Sequence, residues 1–311
     1  MKKDLVSVSD LTKSEIEKMF VLSKKIKSKT KKGIAHRVLK EKTLAMIFEK
    51  PSLRTRVTFE TGMTQLGGHA IYLAPADIQL GKRESVADVA SNLSRWVDAV
   101  MARTFSHQTI VELAENATVP VINGLSDLEH PCQILADFFT IYEHRAKKMD
   151  WRNWKLAYIG DGNNVCHSLL LASGILGMNI SVGCPKAYQP KQEIIEKTLE
   201  FAQKTKAKIE ILEDPFVAVK EADFIYTDVW ASMGQEAERE ERKRVFADYQ
   251  VNAKLVAKAK EDVLVLHCLP AHRGEEITDE VIDGPHSIVL PQAENRLHLQ
   301  KAILVKLLFN K

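Results

Sequence analysis

Residues 43–56 of this chain read TLAMIFEKPSLRTR, and this run contains the unit from which the architecture follows. Its first six residues are mostly apolar and have the length typical of a buried strand. After a short turn that contains Pro51 and Ser52, the residues from Arg54 to Leu66 have helical spacing. A buried strand, a short turn and a helix form the repeating unit of parallel α/β sheets.

The same alternation continues along the rest of the chain. The predicted strands are residues 43–48, 69–73, 99–103, 119–122, 156–159, 180–183, 208–212, 224–227, 263–266 and 287–290. The predicted helices are residues 54–66, 85–96, 108–116, 131–148, 164–176, 191–205, 251–260 and 292–308. The charged run 235–244 indicates a solvated helix face or a loop. This pattern predicts an α/β fold of doubly wound parallel sheets, which bind ligands beyond the carboxyl ends of their strands.

The length of the chain suits two domains. It has 311 residues, and a hydrophobic content of 45% can fill two cores. The long helical stretch that begins at Pro131 is the predicted seam. We expect residues 1–148 to form one domain and 149–291 a second, joined by helices, with a C-terminal helix, 292–311, that returns to the first.

Composition narrows the class of protein. The formal net charge is +3, from 44 basic and 41 acidic residues, which argues against a dedicated nucleic-acid binder. The basic stretch 24–42 is either a solvated surface or one that draws in an anionic substrate. The longest apolar stretch, near 169–178, is shorter than the roughly 18–20 residues of a membrane span. With no apolar leader and no C-x-x-C pair among four cysteines, we expect a cytoplasmic, non-membrane protein without disulfides.

Ser52-Leu53-Arg54-Thr55-Arg56 opens the first predicted helix and is a candidate phosphate site. A helix N-terminus offers unpaired N–H groups and a partial positive charge. Two hydroxyls and two guanidiniums in that turn add strong anion-binding groups, because arginine grips phosphate in a bidentate manner. The alternative is a capped helix with surface arginines.

Further polar residues follow other predicted strands or open other helices. His130 and Gln133 lie three residues apart at a helix start, so they share a face and form either a polar ligand site or a cap. Cys268 follows a predicted strand, and a base that would activate it as a nucleophile is not evident from the sequence. Because neighbouring residues on a strand point to opposite faces, His267 and Cys268 are not expected to form a metal pair.

Two loops in the second half carry amides and a carboxylate. Residues 160–164, GDGNN, follow a strand and open a helix, but Val165 occupies the third glycine position of a dinucleotide fingerprint. The two asparagines could bind an amino-acid carboxylate instead. Asp228 stands at the end of another predicted strand, ahead of Ser232-Met233-Gly234. Each loop, taken alone, is equally consistent with a turn or cap.

Read together, these motifs resemble the aspartate/ornithine carbamoyltransferase family over nearly the whole chain. The resemblance is carried by 52–56, Arg103, 130–133 and the run PQAENR at 291–296. The ornithine branch is indicated by HCLP at 267–270 and by Asp228 with Ser232-Met233-Gly234. One departure is Leu53, which stands where the family usually has threonine. A hydroxyl is lost there, whereas the backbone N–H is retained.

The resemblance implies transfer of the carbamoyl group of carbamoyl phosphate to L-ornithine. Arg103 and His130 are expected to stabilise the oxyanion of the intermediate, and Cys268 to position the substrate without forming a covalent bond. The implied carbamoyl phosphate ligands are Ser52, Leu53, Arg54, Thr55, Gln79, Arg103, His130, Gln133, Cys268, Leu269 and Arg296. The implied ornithine ligands are Asn164, Asp228, Ser232 and Met233. No metal or organic cofactor is expected, because carbamoyl phosphate is already activated.

The resemblance also implies a homotrimer or a multiple of trimers. The loop 77–82 matches the family's loop that reaches a neighbouring subunit, and Gln79 fills its ligand position. Alternatives stay open at this point: an acceptor such as putrescine or N-acetylornithine, an NAD-dependent dehydrogenase, or a non-catalytic amino-acid sensor. Biosynthetic and catabolic roles in arginine metabolism also stay open.

Overall fold

The computed structural model describes residues 3–81, 83–145, 148–231 and 236–309. The chain divides into two compact units. The first comprises residues up to Phe139 and those from Glu294 onward, and the second comprises Thr140–Ala293. The boundary between the two units at Phe139 and Thr140 falls inside the continuous helix Pro131–His144. The sequence pattern predicts the domain boundary after residue 148. Helical periodicity is unbroken at Phe139, so the sequence carries no local signal there.

The first unit contains a four-stranded parallel sheet in the order β2-β1-β3-β4. Its core includes apolar residues of all but the edge strand β2, which is only partly buried. The strands are β1 Thr43–Phe48, β2 His69–Leu73, β3 Ala99–Arg103 and β4 Val121–Leu125. The helices that begin in this unit's first segment are α1 Lys13–Lys31, α2 Leu53–Leu66, α3 Pro75–Ile78, α4 Val86–Trp96, α5 His107–Asn116 and α6 Pro131–His144.

The second unit contains a five-stranded parallel sheet in the order β7-β6-β5-β8-β9. Every residue of α7 from Val165 to Leu176 is buried, which agrees with the predominantly apolar composition of this helix. The strands are β5 Lys155–Ile159, β6 Asn179–Gly183, β7 Ile209–Leu212, β8 Phe224–Thr227 and β9 Leu264–His267. The helices are α7 Asn164–Leu176, α8 Gln192–Thr205, α9 Pro215–Val219, α10 Arg239–Val245, α11 Ala253–Val256, α12 Asp279–Ile282 and α13 Val289–Leu308, whose later residues belong to the first unit.

The predicted fold class is therefore confirmed. The strand order reverses once in each sheet. Residue periodicity does not reveal where these reversals lie. In the first sheet the reversal lies between β1 and β3, and in the second between β5 and β8. Ligands of such sheets bind at the carboxyl ends of the strands beside the reversal. The carboxyl ends of β1, β3, β5 and β8 are therefore the expected ligand-binding positions.

Some predicted elements differ from the observed ones. The strand predicted at 287–290 is wrong: Ser287 makes one bridge to Val265, and the helix α13 begins at Val289. Pro291 suits the first turn of that helix, where its missing N–H is not needed. The helix predicted at 251–260 is shorter, Ala253–Val256. Part of the charged run 235–244 forms α10, and its Arg242 is buried, so that helix is not simply a solvated face.

Candidate active site

The start of α2 has the features of an anion-binding helix end. Ser52 is its N-cap, and its hydroxyl accepts a hydrogen bond of 3.2 Å from the backbone N–H of Thr55. Arg54 lies in the first turn and is half-buried, whereas the side chain of Leu53 is 74% exposed. The unusual residue of the motif thus points to solvent, and the helix keeps its backbone donors.

Arg296, on α13, is a buried guanidinium that links two other helices of the first unit. Its Nη1 donates to Oε1 of Gln133 on α6, and its Nη2 donates to Oγ1 of Thr55 at 3.1 Å. Gln133 in turn donates through Nε2 to Asp137 Oδ1 at 2.8 Å. Because a buried charge is tolerated only when hydrogen-bonded, this network fixes the relative positions of the three side chains.

His130 is a buried histidine immediately before the first residue of α6. Burial is the main reason why the pKa of its imidazole is well below the ordinary value. The guanidiniums of Arg296, Arg103 and Arg54 lower that pKa further, because they repel a second positive charge. A neutral imidazole therefore lies in a strongly positive field. Such a place favours any bound group on which negative charge develops.

Arg103 reaches the same region from the carboxyl end of β3. Its Cα is paired in register with Phe48, the last residue of β1, and its side chain is buried. These two strands flank the reversal of strand order in the first sheet. The anion-binding residues after β1 and at the end of β3 therefore lie where a parallel sheet binds ligands.

In the second unit, Asp228 is a buried carboxylate at the end of β8. Its Oδ1 accepts a hydrogen bond of 2.9 Å from the thiol of Cys268, and its Oδ2 accepts one of 2.9 Å from Nδ2 of Asn163. Asn163 is the N-cap of α7, directly after β5, and its Oδ1 accepts from the N–H groups of Val165 and Cys166. The carboxylate is thus held in one orientation by donors from two other strand ends.

His267 precedes Cys268 and holds the backbone beyond it. Its Nδ1 accepts from the N–H of Leu269 at 2.8 Å, and its Nε2 lies 3.1 Å from Oε1 of the buried Glu276. Asp228, His267 and Cys268 offer ligand atoms within 4.8 Å of one another. A metal ion there would compete with the hydrogen bonds that both ring nitrogens of His267 already make.

The loops after β5 and β8 are joined by a buried ion pair. Nη1 of Arg242 donates to Asp161 Oδ2 and to the carbonyl of Trp230, each at 2.9 Å. Burial raises the pKa of the Asp161 carboxyl to about 6, although Arg242 acts in the opposite direction. The guanidinium also lies 4.8 Å from the ring centroid of Tyr188. One side chain thus connects the turn before Asn163 to the turn after Asp228.

Ser52 is the N-cap of α2, and the other predicted site residues fall into the following groups. The structure connects Thr55, Gln133 and Arg296 by hydrogen bonds, and it brings the charges of Arg54 and Arg103 to His130. Asp228 and Cys268 are in direct contact. Asn164 is the first residue of α7, and Leu269 follows Cys268 after the end of β9. Leu53 and Gln79 are exposed. Ser232 and Met233 lie outside the described residues.

Sequence reasoning missed the roles of two side chains in the second unit. Asn163 was considered only as a group that could bind an amino-acid carboxylate, whereas the structure shows it as the N-cap of α7 and a donor to Asp228. Its position as the residue before a helix was the available signal. Arg242 lies in a charged run that predicts a solvated surface, so no local signal distinguishes it. The four cysteines are free thiols, and Cys268 is the one among them that is not fully buried.

Two family models match the chain, one to each half. Residues 3–143 match the carbamoyl-P binding domain of aspartate/ornithine carbamoyltransferase, and residues 152–307 match its Asp/Orn binding domain. Together they span most of the chain, and we conclude that this protein belongs to the aspartate/ornithine carbamoyltransferase family.

Several proteins similar to this chain are ornithine carbamoyltransferases. An ornithine carbamoyltransferase of Archaeoglobus fulgidus is 56% identical over 98% of this chain and 97% of its own length. An anabolic ornithine carbamoyltransferase of Pyrococcus furiosus is 54% identical over 97% of this chain and 95% of its own. The solved structure of ornithine carbamoyltransferase from Pyrococcus furiosus has a TM-score of 0.94 at 53% identity, covering 98% of this chain and 96% of that one.

Proposed function

We propose that this chain is an ornithine carbamoyltransferase, which converts carbamoyl phosphate and L-ornithine into L-citrulline and phosphate. The observation that carries the proposal is the charge arrangement at His130, where a buried imidazole with a lowered pKa lies in the positive field of Arg296, Arg103 and Arg54. Carbamoyl transfer needs that environment, because negative charge grows on the carbonyl oxygen and on the departing phosphate. Membership of the family, and of the branch whose members are 53–56% identical, supports the same reaction.

Carbamoyl phosphate is assigned to the first unit. In this proposal Ser52, the N–H of Leu53, Arg54 and Thr55 bind its phosphate, as the capped start of α2 suits. Arg103, His130 and Gln133 surround the carbamoyl group, with Arg296 beside them and Cys268 and Leu269 as further ligands. Arg103 and His130 stabilise the oxyanion of the tetrahedral intermediate. Because that charge exists only after attack, these contacts lower the barrier rather than merely tightening substrate binding.

Ornithine is assigned to residues of the second unit. The carboxylate of Asp228 pairs with the α-ammonium, while Asn164 and the segment with Ser232 and Met233 bind the α-carboxylate. The reacting δ-amine has a pKa of about 10.4 and is therefore charged at neutral pH. Removing its proton costs about 4.6 kcal/mol over roughly 3.4 pH units. The enzyme must favour the neutral amine, and the departing phosphate is the proposed proton acceptor.

The test of the reaction is an assay for citrulline and phosphate. The purified protein is incubated with carbamoyl phosphate and either ornithine, putrescine or N-acetylornithine. We expect citrulline from ornithine at the highest kcat/KM and equimolar release of phosphate. A higher kcat/KM with putrescine or N-acetylornithine would show that the protein is a carbamoyltransferase for that acceptor instead of ornithine. Ornithine binding without phosphate release would instead indicate a sensor, and hydride transfer to NAD a dehydrogenase.

The Asp228 assignment has its own test in acceptor choice. Asp228→Asn should raise the KM for ornithine strongly, because a buried carboxylate that neutralises the α-ammonium becomes neutral. N-acetylornithine has no α-ammonium, because its α-amine is acylated, whereas putrescine keeps an ammonium at the same place in the chain. The variant should therefore lose much less with N-acetylornithine than with ornithine. Equal losses for these two acceptors would contradict the assignment of Asp228 to the α-ammonium.

We further propose a cytoplasmic homotrimer, or a multiple of trimers, that serves arginine biosynthesis. The anabolic relative at 54% identity supports the biosynthetic direction. The first unit exposes apolar side chains on α2 and on the edge strand β2, namely Leu53, Val57 and Ile71. These side chains support association of this unit with other copies. Four free thiols suit a reducing compartment. Across the described ranges, no helix combines the length and apolar character that crossing a membrane requires.

A further inference from the structure

The first residues that the structure describes lie along β4, at the opposite edge of the first sheet from β2. The N–H of Leu5 donates to the carbonyl of Val121 at 2.9 Å, and the N–H of Asn123 donates to the carbonyl of Leu5 at 2.8 Å. Leu5 thereby forms a parallel bridge with Ile122 of β4 and is fully buried. The side chain of Asn123 adds a hydrogen bond of 2.8 Å from Nδ2 to the carbonyl of Val6. Residues 4–10, the N-terminal segment, are thus anchored to β4.

The same segment donates hydrogen bonds to the buried carboxylate of Glu129, which follows the end of β4. Oε1 of Glu129 accepts a hydrogen bond of 2.5 Å from the hydroxyl of Ser7, and Oε2 accepts one of 3.0 Å from the N–H of Val8. The side chain of Glu129 is nearly inaccessible to solvent. Asp10 holds the backbone next to these two donors, because its Oδ2 accepts hydrogen bonds from the N–H groups of Val6 and Ser7. The segment thus holds both oxygens of one buried side chain.

Glu129 shares a peptide bond with His130, and the backbone around that bond is held on both sides. Upstream, the N–H of Ser126 donates to the carbonyl of Glu129 at 2.9 Å. Downstream, the carbonyl of His130 accepts from the N–H of Gln133 at 3.1 Å in the first turn of α6. The Glu129 side chain adds an anchor more than a hundred residues away in sequence. The backbone of His130 is thus tied to the N-terminal segment through the adjacent Glu129.

We propose that Glu129 is a positioning residue for carbamoyl transfer, which holds His130 in place by its hydrogen bonds to Ser7 and Val8. The inference rests on the proposed function, in which His130 meets the developing oxyanion. Glu129 does not contact the substrate in this account. Its carboxylate works as a two-acceptor anchor, so its charge matters less than the geometry of its hydrogen bonds.

The test compares Glu129→Ala with Glu129→Gln. The alanine variant loses both acceptors, and small displacements of a catalytic group are costly, so we expect kcat to fall by about 10- to 100-fold. The KM for ornithine should stay within about twofold, because ornithine is assigned to residues of the other unit. The glutamine variant should recover most of the activity. Its amide oxygen can accept from the N–H of Val8, and its NH2 group can donate to the hydroxyl of Ser7, which rotates to accept.

Glu15→Ala is the matched control. Glu15 also accepts hydrogen bonds from a hydroxyl and a backbone N–H, both of Thr12, but it does so at the start of α1. We expect this variant to lose thermal stability with kcat near that of the wild type. Ser7→Ala removes one of the two donors to Glu129, so it should lower kcat in the same direction by less, and it covers the case in which Glu129→Ala does not fold.

Two results overturn the positioning role. One is a folded Glu129→Ala protein, or a folded Ser7→Ala protein if the first does not fold, with wild-type kcat. The other is a rise in the KM for ornithine as large as the fall in kcat, which would indicate a general loss of structure. A wild-type protein that produces no citrulline is a different outcome. It would reject the proposed function itself, and the positioning role with it.

Discussion

Two arginines on the first turns of α2 have different surroundings. Arg54 is half-buried and its charge reaches His130, whereas Arg56 is exposed, with its guanidinium 3.7 Å from the ring centroid of Tyr72 and its Nε 2.9 Å from Glu60 Oε1. Arg54→Ala should lower kcat/KM for carbamoyl phosphate by about 100-fold or more, because a charge-assisted phosphate contact disappears. Arg56→Ala is the control and should keep near-normal turnover. Steady-state kinetics on the two folded variants measure the difference, and similar losses in both would contradict the phosphate assignment of Arg54.

A buried lysine makes the stability of the protein depend on pH. Nζ of Lys301, on α13, donates to Thr30 Oγ1 at 2.8 Å and to Gln65 Oε1 at 2.6 Å. Burial lowers its pKa to about 8. The unfolded chain, with a pKa for lysine of about 10.4, then binds more protons than the folded chain between roughly pH 8 and 10. This residue's contribution to the free energy of unfolding therefore rises with pH across that window.

Lys301→Met tests this effect. Urea unfolding at pH 7.5 and pH 9.5 should show a smaller pH-dependent gain in the variant than in the wild type, because the titrating group is absent. Lys306→Met, at a half-buried position of the same helix, is the matched control and should keep the wild-type dependence. An unchanged dependence in Lys301→Met would show that Lys301 titrates normally in the folded protein.

Among the elements, α10 has a role that its charged sequence conceals. Its Arg242 joins the turn after β5 to the turn after β8, the two turns that carry Asn163 and Asp228. Arg242→Leu should raise the KM for ornithine by at least about tenfold, because the groups that orient Asp228 lose a common support. The KM for carbamoyl phosphate should change little. Removing one partner of a buried pair costs about 3–5 kcal/mol, so a lower Tm is also expected.

The control for this element is Arg244→Leu. Arg244 lies on the exposed side of α10, and its Nε donates only to the backbone carbonyl of Glu240 among the described contacts. It should leave both KM values and the Tm close to those of the wild type. An Arg242→Leu protein with unchanged ornithine KM would show that the buried pair stabilises the fold without supporting the ornithine residues.

At the level of the assembly, the proposed trimer predicts that two inactive proteins can restore each other. Gln79 is exposed on the loop after α3, and we expect it, from the family resemblance, to serve the carbamoyl phosphate site of a neighbouring copy. Arg54→Ala chains keep an intact Gln79, and Gln79→Ala chains keep an intact Arg54. Refolding the two together should produce mixed trimers in which one interface contains both native residues. Activity should reappear, at a fraction of the wild-type level.

The measurement needs a check on assembly. Size-exclusion chromatography with tagged chains should show that hybrid trimers have formed, and each variant refolded alone should remain inactive. If confirmed hybrids are as inactive as their parents, then Gln79 acts within its own chain or not at all. A monomer in solution would contradict the assembly itself.

Much of this protein could be predicted from the sequence because the signals are local. A run of apolar residues predicted β1 correctly, and helical spacing with Ser52 as a cap predicted α2. These patterns report which residues face the interior of one element, so they predict its type and approximate bounds. The motifs at strand ends, taken in their order, were sufficient to predict the family.

The rest depends on contacts between residues far apart in sequence. Arg296 bonds to Gln133 and Thr55 across 163 and 241 residues, and Asn163 bonds to Asp228 across 65. Arg242 lies in a charged run whose pattern indicates a solvated surface, and no local pattern marks Glu129 as buried. They are buried because distant segments supply their hydrogen-bond partners, and burial of a charge is stable only with such partners. Strand order, which places the site residues at the two reversals, is likewise set by packing of whole elements, and residue periodicity does not encode it.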